Sequence, residues 1–471
     1  MKEVRFYKNK VLLGWLLPAL STLVSCKQLI EIPSNPPTQI TRAEQFADSA
    51  AVMSVVAGVY TYNAGQGFGY SDANLTISVG LSADEISTTN QTQFFNQDQQ
   101  QFYSYSLTPL NSEVATLWQF PYESLYQVND VLDGIANNTN LSASFIQQIT
   151  GEMKVVRALY YFNMINLFGG VPLVTSTDYN TTAHLPRAGV DTIYTQILAD
   201  LTDAITKLPA GYPSAGRARP NLYTAQALLA KVYLYQGQWQ DAYNEADSIV
   251  NSNVYSLEPS VANVFLDGSQ EAIWQLPAAN PQLGTETAEA LNFVTNSGVT
   301  PNYLVTPFLL SQFEAGDLRL QDWIGISVVN SENLYYPFKY KNVYATDLPV
   351  EDYMIFRLAE VLLIRAEAAA HLNNLSQALM DVNTIRSRAG LPASTANATS
   401  QTAVLAAVMK ERQTELCFEW GNRWFDLKRT GTAGTILGAE KTGWQSNAAL
   451  YPVPQGEIQL NIALTQNPGY Q

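Results

Sequence analysis

Three charged pairs near the C-terminus stand at helical spacing: Arg357 with Glu360, Glu411 with Glu415, and Arg423 with Asp426. Residues three or four apart share a helix face, so such pairs can serve acid–base chemistry or simply brace the helix. A glycosidase needs two carboxylates roughly 5 to 10 Å apart across a cleft. With 41 acidic residues in the chain, some pair of that kind arises by chance, and structural pairing is the better reading. The two histidines, His184 and His371, are too few for a metal cluster or a nucleophilic triad. His371 also stands at an expected helix end, where a capping role suits it. Gly65-Gln66-Gly67-Phe68-Gly69 lacks the lysine and helix start of a phosphate loop. Cys417, between Leu416 and Phe418, reads as a small core residue without a base to activate it. No catalytic residue, metal ligand or cofactor is assigned, and the chain is expected not to be an enzyme.

Recognition of a neutral polar ligand is better supplied. Only 14% of residues are charged, while tyrosine, asparagine and glutamine abound. A sugar ring presents an apolar face to a flat aromatic side chain and hydroxyls to neighbouring amides and carboxylates. Tyr62, Phe68 and Tyr70 cluster near Asn63 and Asp72; Phe94 and Phe95 sit among Asn90, Gln91, Gln93 and Asn96, with Asp84-Glu85 between the groups. Farther on come Trp274, Phe293, Tyr303, Trp323, Tyr335 and Tyr336. Trp274 lies in a strand-like run, and Phe308 and Phe313 fit an amphipathic turn, so all three read as core. Tyr70, Phe94, Phe95, Phe293 and Tyr303 remain as surface candidates, with Asp84 as a carboxylate beside them.

The first 25 residues form a targeting segment. Lys2, Arg5, Lys8 and Lys10 precede an apolar run from Val11 to Leu23, and Leu23-Val24-Ser25-Cys26 resembles a bacterial lipobox with Cys26 as the lipid acceptor. An acyl anchor, worth about 0.8 kcal/mol per buried methylene, would hold the chain on a membrane without spanning it. Setting residues 1–25 aside removes four basic residues and one acid, so the net charge moves from −15 to −18. That surface repels nucleic acid and anionic lipid headgroups. Only Cys417 then remains free, so no intramolecular disulfide forms.

Helices must position these residues. Helical blocks are expected over 41–62, 118–250 and 353–430, the first opened by a Thr41/Glu44 capping box. Trp118 to Ile135, Glu152 to Phe168 (stopped by Gly169-Gly170) and Ile193 to Leu208 each carry an apolar stripe. Two helical hairpins share a spacing: Ala230 and Ala242 lie twelve apart, as do Ala366 and Ala378. Alanines so placed let antiparallel helices approach closely, which is the tetratricopeptide pattern. The expected fold is mostly α, a tetratricopeptide-like helical-hairpin superhelix in which 26–471 forms one unit. Two irregular stretches, 63–117 and 255–349, make a loop-rich lobe that is expected to carry any ligand.

The chain's C-terminal region resembles a known family. Glu411 to Gly431 contains Glu419-Trp420-Gly421-Asn422-Arg423-Trp424-Phe425-Asp426, and a proline-punctuated tail, 450–471, retains Tyr451, Val453, Ile458, Leu460 and Tyr470 for docking. Glu152 to Phe162 with Phe168-Gly169-Gly170-Val171-Pro172-Leu173, Leu185-Pro186-Arg187-Ala188, and Tyr353 to Glu360 add further matches. Together they closely resemble the SusD/RagB family of outer-membrane nutrient-binding lipoproteins. Glu419 to Arg423 departs from the family's shorter E-G-x-R form. The resemblance implies a cell-surface, outer-membrane protein that binds an oligosaccharide and serves as the lid of a SusC-like TonB-dependent β-barrel transporter. A peptide-binding member and a surface glycoside hydrolase lipoprotein are the alternatives.

Overall fold

Helical hairpins and long amphipathic helices dominate the structure, a computed structural model that describes residues 40–64, 70–89, 96–278, 286–343 and 350–470. The targeting segment, Cys26, Phe68, Phe94 and Phe95 lie outside the described residues. The Thr41/Glu44 capping box forms as expected: the Thr41 N–H donates to the Glu44 carboxylate at 2.8 Å, and the Glu44 N–H returns to the Thr41 hydroxyl at 3.3 Å. It starts only a short helix, Arg42–Gln45, before α1 (Ser49–Ala64).

The stretch 63–117 is far from structureless. It contains α2 (Leu75–Ser82), the strand β1 (Ile86–Thr88) and α3 (Gln97–Ser104). Next, α4 (Ser112–Ile135) begins before Trp118, because the Asn111 side chain accepts the Val114 N–H at 3.0 Å and caps the helix earlier. Then α5 (Ala143–Phe168) ends where Gly169 adopts φ +73, a left-handed exit that glycine makes without steric cost. The short pair β2 (Val171–Pro172) and β3 (Arg187–Ala188) leads to α6 (Val190–Lys207), which packs along α5.

The predicted hairpins are α7 (Leu222–Tyr235) with α8 (Trp239–Asn251), and α9 (Leu358–His371) with α10 (Leu375–Arg388). Ala230, Ala242, Ala366 and Ala378 are all fully buried, as the close approach of paired helices requires. Helix α9 packs on α8 as well as on α10, and α11 (Gln401–Glu415) packs on both α9 and α10, so the hairpins form one stack. Helix α12 (Asn422–Arg429) then crosses back to α2.

Strands occupy the stretch 255–349, which the sequence reads as irregular: β4 (Ala272–Pro277), β5 (Tyr303–Val305), β6 (Ile324–Val329) and β7 (Glu332–Pro337). The first residues of the supposed helical block 353–430 are also a strand, β8 (Asp352–Arg357), paired antiparallel with β4. Strands of three to six residues are too short for their period to stand out in a sequence. The most consequential pairing is β1 with β5, Ile86 opposite Val305 and Thr88 opposite Tyr303, which fuses the two stretches into one lobe. Backbone bonds from Thr89 to Asn302 and from Thr306 to Glu85 extend it.

The tail docks largely as expected. Tyr451 and Val453 are buried, and the Asn467 amide donates to the carbonyls of Phe168 and Tyr451 at 2.9 and 2.7 Å. Leu460 departs from expectation: it ends a single-turn helix, Gln455–Leu460, and is 77% exposed.

Candidate ligand-binding lobe

The aromatic candidates inside the described residues are core, not surface, which corrects the sequence reading. Phe293 is fully buried, edge-on to Tyr303 at 5.6 Å and tilted against Phe418 at 6.3 Å. Tyr303 is 5% exposed and donates its hydroxyl to Gln99 of α3 at 2.5 Å. Tyr70 is also fully buried, stacked on Phe120 at 6.3 Å and tilted on Tyr160 at 5.5 Å. The physical reason is burial: each ring removes about 150–250 Å² from water when it packs beside the buried Leu75, Ile77, Ile86 and Val305 of the same lobe. Half-buried Tyr62 stays nearer the surface, stacked on Phe120 at 4.5 Å with its hydroxyl donated to Glu123.

Asp84 is a strut. Both of its oxygens accept from the Arg423 guanidinium, at 2.8 and 2.6 Å, and Asp84 is 1% exposed. A carboxylate so enclosed has no oxygen left for a sugar hydroxyl. It ties the loop before β1 to α12 and so explains why an arginine stands in the C-terminal motif. Beside it the Lys441 ammonium donates to the carbonyl of Leu81 at 2.6 Å and to that of Ala83, and burial lowers its pKa to about 7.

Glu85, equally buried, accepts the Phe418 N–H at 3.1 Å. Burial first, and the Asp84 charge further, push its pKa up to about 8 against the opposing pull of that hydrogen bond. An acid raised in the folded state contributes stability that is complete below its unfolded value of about 4.3 and is lost as pH rises toward 8. Glu85→Gln, which keeps the shape and cannot ionise, is therefore expected to gain on the parent chain as pH rises from 5 to 8. Urea unfolding across that range checks it; a stability difference that does not change with pH would refute the assignment.

The charged pairs that invited a catalytic reading prove structural, as the sequence suggests, but mostly with distant partners; only Asp426 keeps a helical neighbour, Arg429. Arg357 reaches Glu271 and Glu415 at 2.6 Å and Glu419 at 2.8 Å, while Glu360 pairs with Lys231 at 2.8 Å. Glu411 and Glu415 both accept from Arg319, at 2.6 and 3.0 Å. Asp426 is held by Arg412 and Arg429 at 2.7 and 2.8 Å. Lys339 adds a contact to Glu419 at 2.7 Å and lies 3.7 Å over the Trp323 ring. Burial alone would raise the Glu415 carboxyl, yet Arg388, Arg357 and Arg319 together hold it well below the usual range. The sequence offers no signal for Arg319, Lys339 or Lys441, whose partners lie too far along the chain to leave a spacing. Cys417 is core as read: it is fully buried, and burial pushes its thiol up to about 12.

Comparison with known proteins agrees with this architecture. A model described as SusD family matches residues 327–470, and one described as starch-binding associating with outer membrane matches residues 36–234. A SusD-like protein of Formosa agariphila is 25% identical, the match covering 96% of this chain and 98% of that protein. The starch-binding protein SusD of Bacteroides thetaiotaomicron is 24% identical over 80% of this chain and 82% of its own length. A SusD superfamily structure from Bacteroides vulgatus superposes with a TM-score of 0.80 at 21% identity, covering 90% of this chain and all of that one. A laminarin-binding SusD-like protein superposes at 0.74 with 24% identity, over 90% of this chain and all of its own. With family models matching residues 36–234 and 327–470, relatives matching nearly end to end and the same fold in solved structures, the chain belongs to the SusD/RagB family.

Proposed function

We propose that the protein captures an oligosaccharide at the outer surface of the cell and delivers it to a SusC-like TonB-dependent transporter, anchored through a lipid on Cys26. The observation that carries this reading is the joining of the two ligand stretches by β1 and β5 into one lobe, in a family with starch- and laminarin-binding relatives. Thr89, bonded to Asn302, and Asn96, bonded to Glu113 at 3.0 Å, bracket the segment that holds Phe94 and Phe95. With Tyr70, Phe293 and Tyr303 in the core, Phe94 and Phe95 are the aromatic candidates left for stacking on a sugar ring. The protein acts without catalysis; in support, Glu411, Glu415 and Asp426 are each enclosed by arginines.

Native gels cast with laminarin, starch and other polysaccharides test the reading. At least one glycan should retard the protein. Exchanging Phe94 and Phe95 together for alanine should weaken retardation by about tenfold, since each aromatic contact is worth about 0.5–1.5 kcal/mol. Retention by a peptide pool with no glycan retarding would favour peptide capture. Reducing ends accumulating with time would overturn the non-enzymatic reading.

A further inference from the structure

Three side chains that can carry out an amide exchange meet inside the helical stack: an amine, a carboxamide and a carboxylate. Lys231 comes from α7, Glu360 from α9 and Asn422 from the start of α12. The Lys231 Nζ donates to the Asn422 Oδ1 at 2.8 Å and lies 2.8 Å from the Glu360 Oε1. The three residues are 6%, 3% and 3% exposed, and the Phe162 and Phe356 rings stand 5.9 and 5.7 Å from the amine. Bulk water is therefore shut out and does not compete with the amine as a nucleophile.

The distances suit attack by the amine. The Asn422 Cγ lies one carbonyl bond, about 1.2 Å, beyond Oδ1, so the amine is within about 4 Å of it. Reacting atoms stand about 3–3.5 Å apart in a near-attack arrangement, a gap that rotation about the lysine's flexible stem closes. A base has to lie about 2.6–3.2 Å from the atom whose proton it takes, and Glu360 does. Its Oε1 meets the amine off the line of a hydrogen bond. Among the described residues that oxygen has no hydrogen-bond partner, so it is open to a proton.

We propose that Lys231 and Asn422 become joined by a side-chain amide, formed once in each folded chain with Glu360 as the base. The Lys231 ammonium gives a proton to the Glu360 Oε1, and the freed lone pair adds to Cγ while the carbonyl electrons move onto Oδ1. The added nitrogen passes one proton to Nδ2. The carbonyl then re-forms, the Cγ–Nδ2 bond breaks, and ammonia leaves with that electron pair. Ammonia takes up the proton held by Glu360 and departs as ammonium, which restores the carboxylate. One C–N bond replaces another, and nothing is oxidised or reduced. The link closes a loop of 191 residues and ties the first helical hairpin to the Glu419–Arg423 motif. A tie of that kind restricts the unfolded chain, the more so for a long loop. Among the described residues Cys417 is free, so no disulfide supplies such a tie there.

Tryptic digestion of the denatured full chain, read by tandem mass spectrometry, tests this. The digest should hold a branched peptide joining the segments around Lys231 and Asn422, one ammonia lighter than its two arms together, with no cleavage after Lys231. In Glu360→Gln and in Asn422→Ala the branched peptide should vanish and trypsin should cut after Lys231. Both denatured variants should also run more slowly than the parent on SDS gels, because the 191-residue loop is open. Circular dichroism confirms that the variants fold, and the parent digest decides the matter even where one does not. Separate, unlinked peptides with Lys231 cleaved in the parent overturn the inference. So does ammonia lost from Asn422 with no lysine attached, and a branched peptide that persists in Glu360→Gln overturns the role of Glu360.

Discussion

Arg357→Met is expected to lower the stability of the folded chain by about 3–5 kcal/mol, because removing one partner strands buried charge. The guanidinium is 1% exposed and touches Glu271, Glu415 and Glu419 at once, and it donates to the Glu415 carbonyl at 2.7 Å. Without it, Arg319, Lys339 and Arg388 must balance those three carboxylates as well as Asp317 and Glu411. The methionine matches much of the volume, so the loss reports charge and not a cavity. In urea unfolding the midpoint falls while the slope, which follows exposed surface, stays as it was. A loss below about 1 kcal/mol would mean that the other cations suffice and that Arg357 is not the keystone of the cluster.

Asp84→Leu and Arg423→Met should each cost about 3–5 kcal/mol alone, yet the double variant should cost less than their sum, because neither charge is then left buried without its partner. This cycle decides between two roles for Asp84. If the carboxylate is a strut, unfolding free energy changes while polysaccharide retardation of the folded protein does not. If it held a ligand, Asp84→Leu would abolish retardation, and the two substitutions would show no coupling in stability. The bidentate geometry and the burial of both residues favour the strut.

Both expectations concern interactions that the sequence hides, and the reason is their range. Asp84 and Arg423 stand 339 residues apart, and Arg357 is 58 residues from Glu415. No spacing rule reaches that far; spacing pairs a charge only with its neighbours on the same helix. The structural role is legible locally; the partners, Arg429 of Asp426 apart, are not. The aromatic candidates went astray for a related reason. Tyr303 and Phe293 look like surface groups in a polar stretch, because their burying partners, Gln99 and Phe418, come from α3 and the segment before α12.

What the sequence determined by itself was local or periodic: the capping box at Thr41, the helix stop at Gly169, the alanines twelve apart, the buried Cys417 and Trp274, and the docking of Tyr451 and Val453. These follow from backbone geometry and from the 3.6-residue period, which neighbouring residues express without help from the rest of the chain. Tertiary structure alone decided that two apparently irregular stretches are one lobe, that the acidic candidate is a brace, and that Lys231, Glu360 and Asn422 meet from helices far apart in the chain. Those outcomes depend on which distant surfaces meet. Burial and charge pairing select that arrangement for the whole chain, so no single segment carries it.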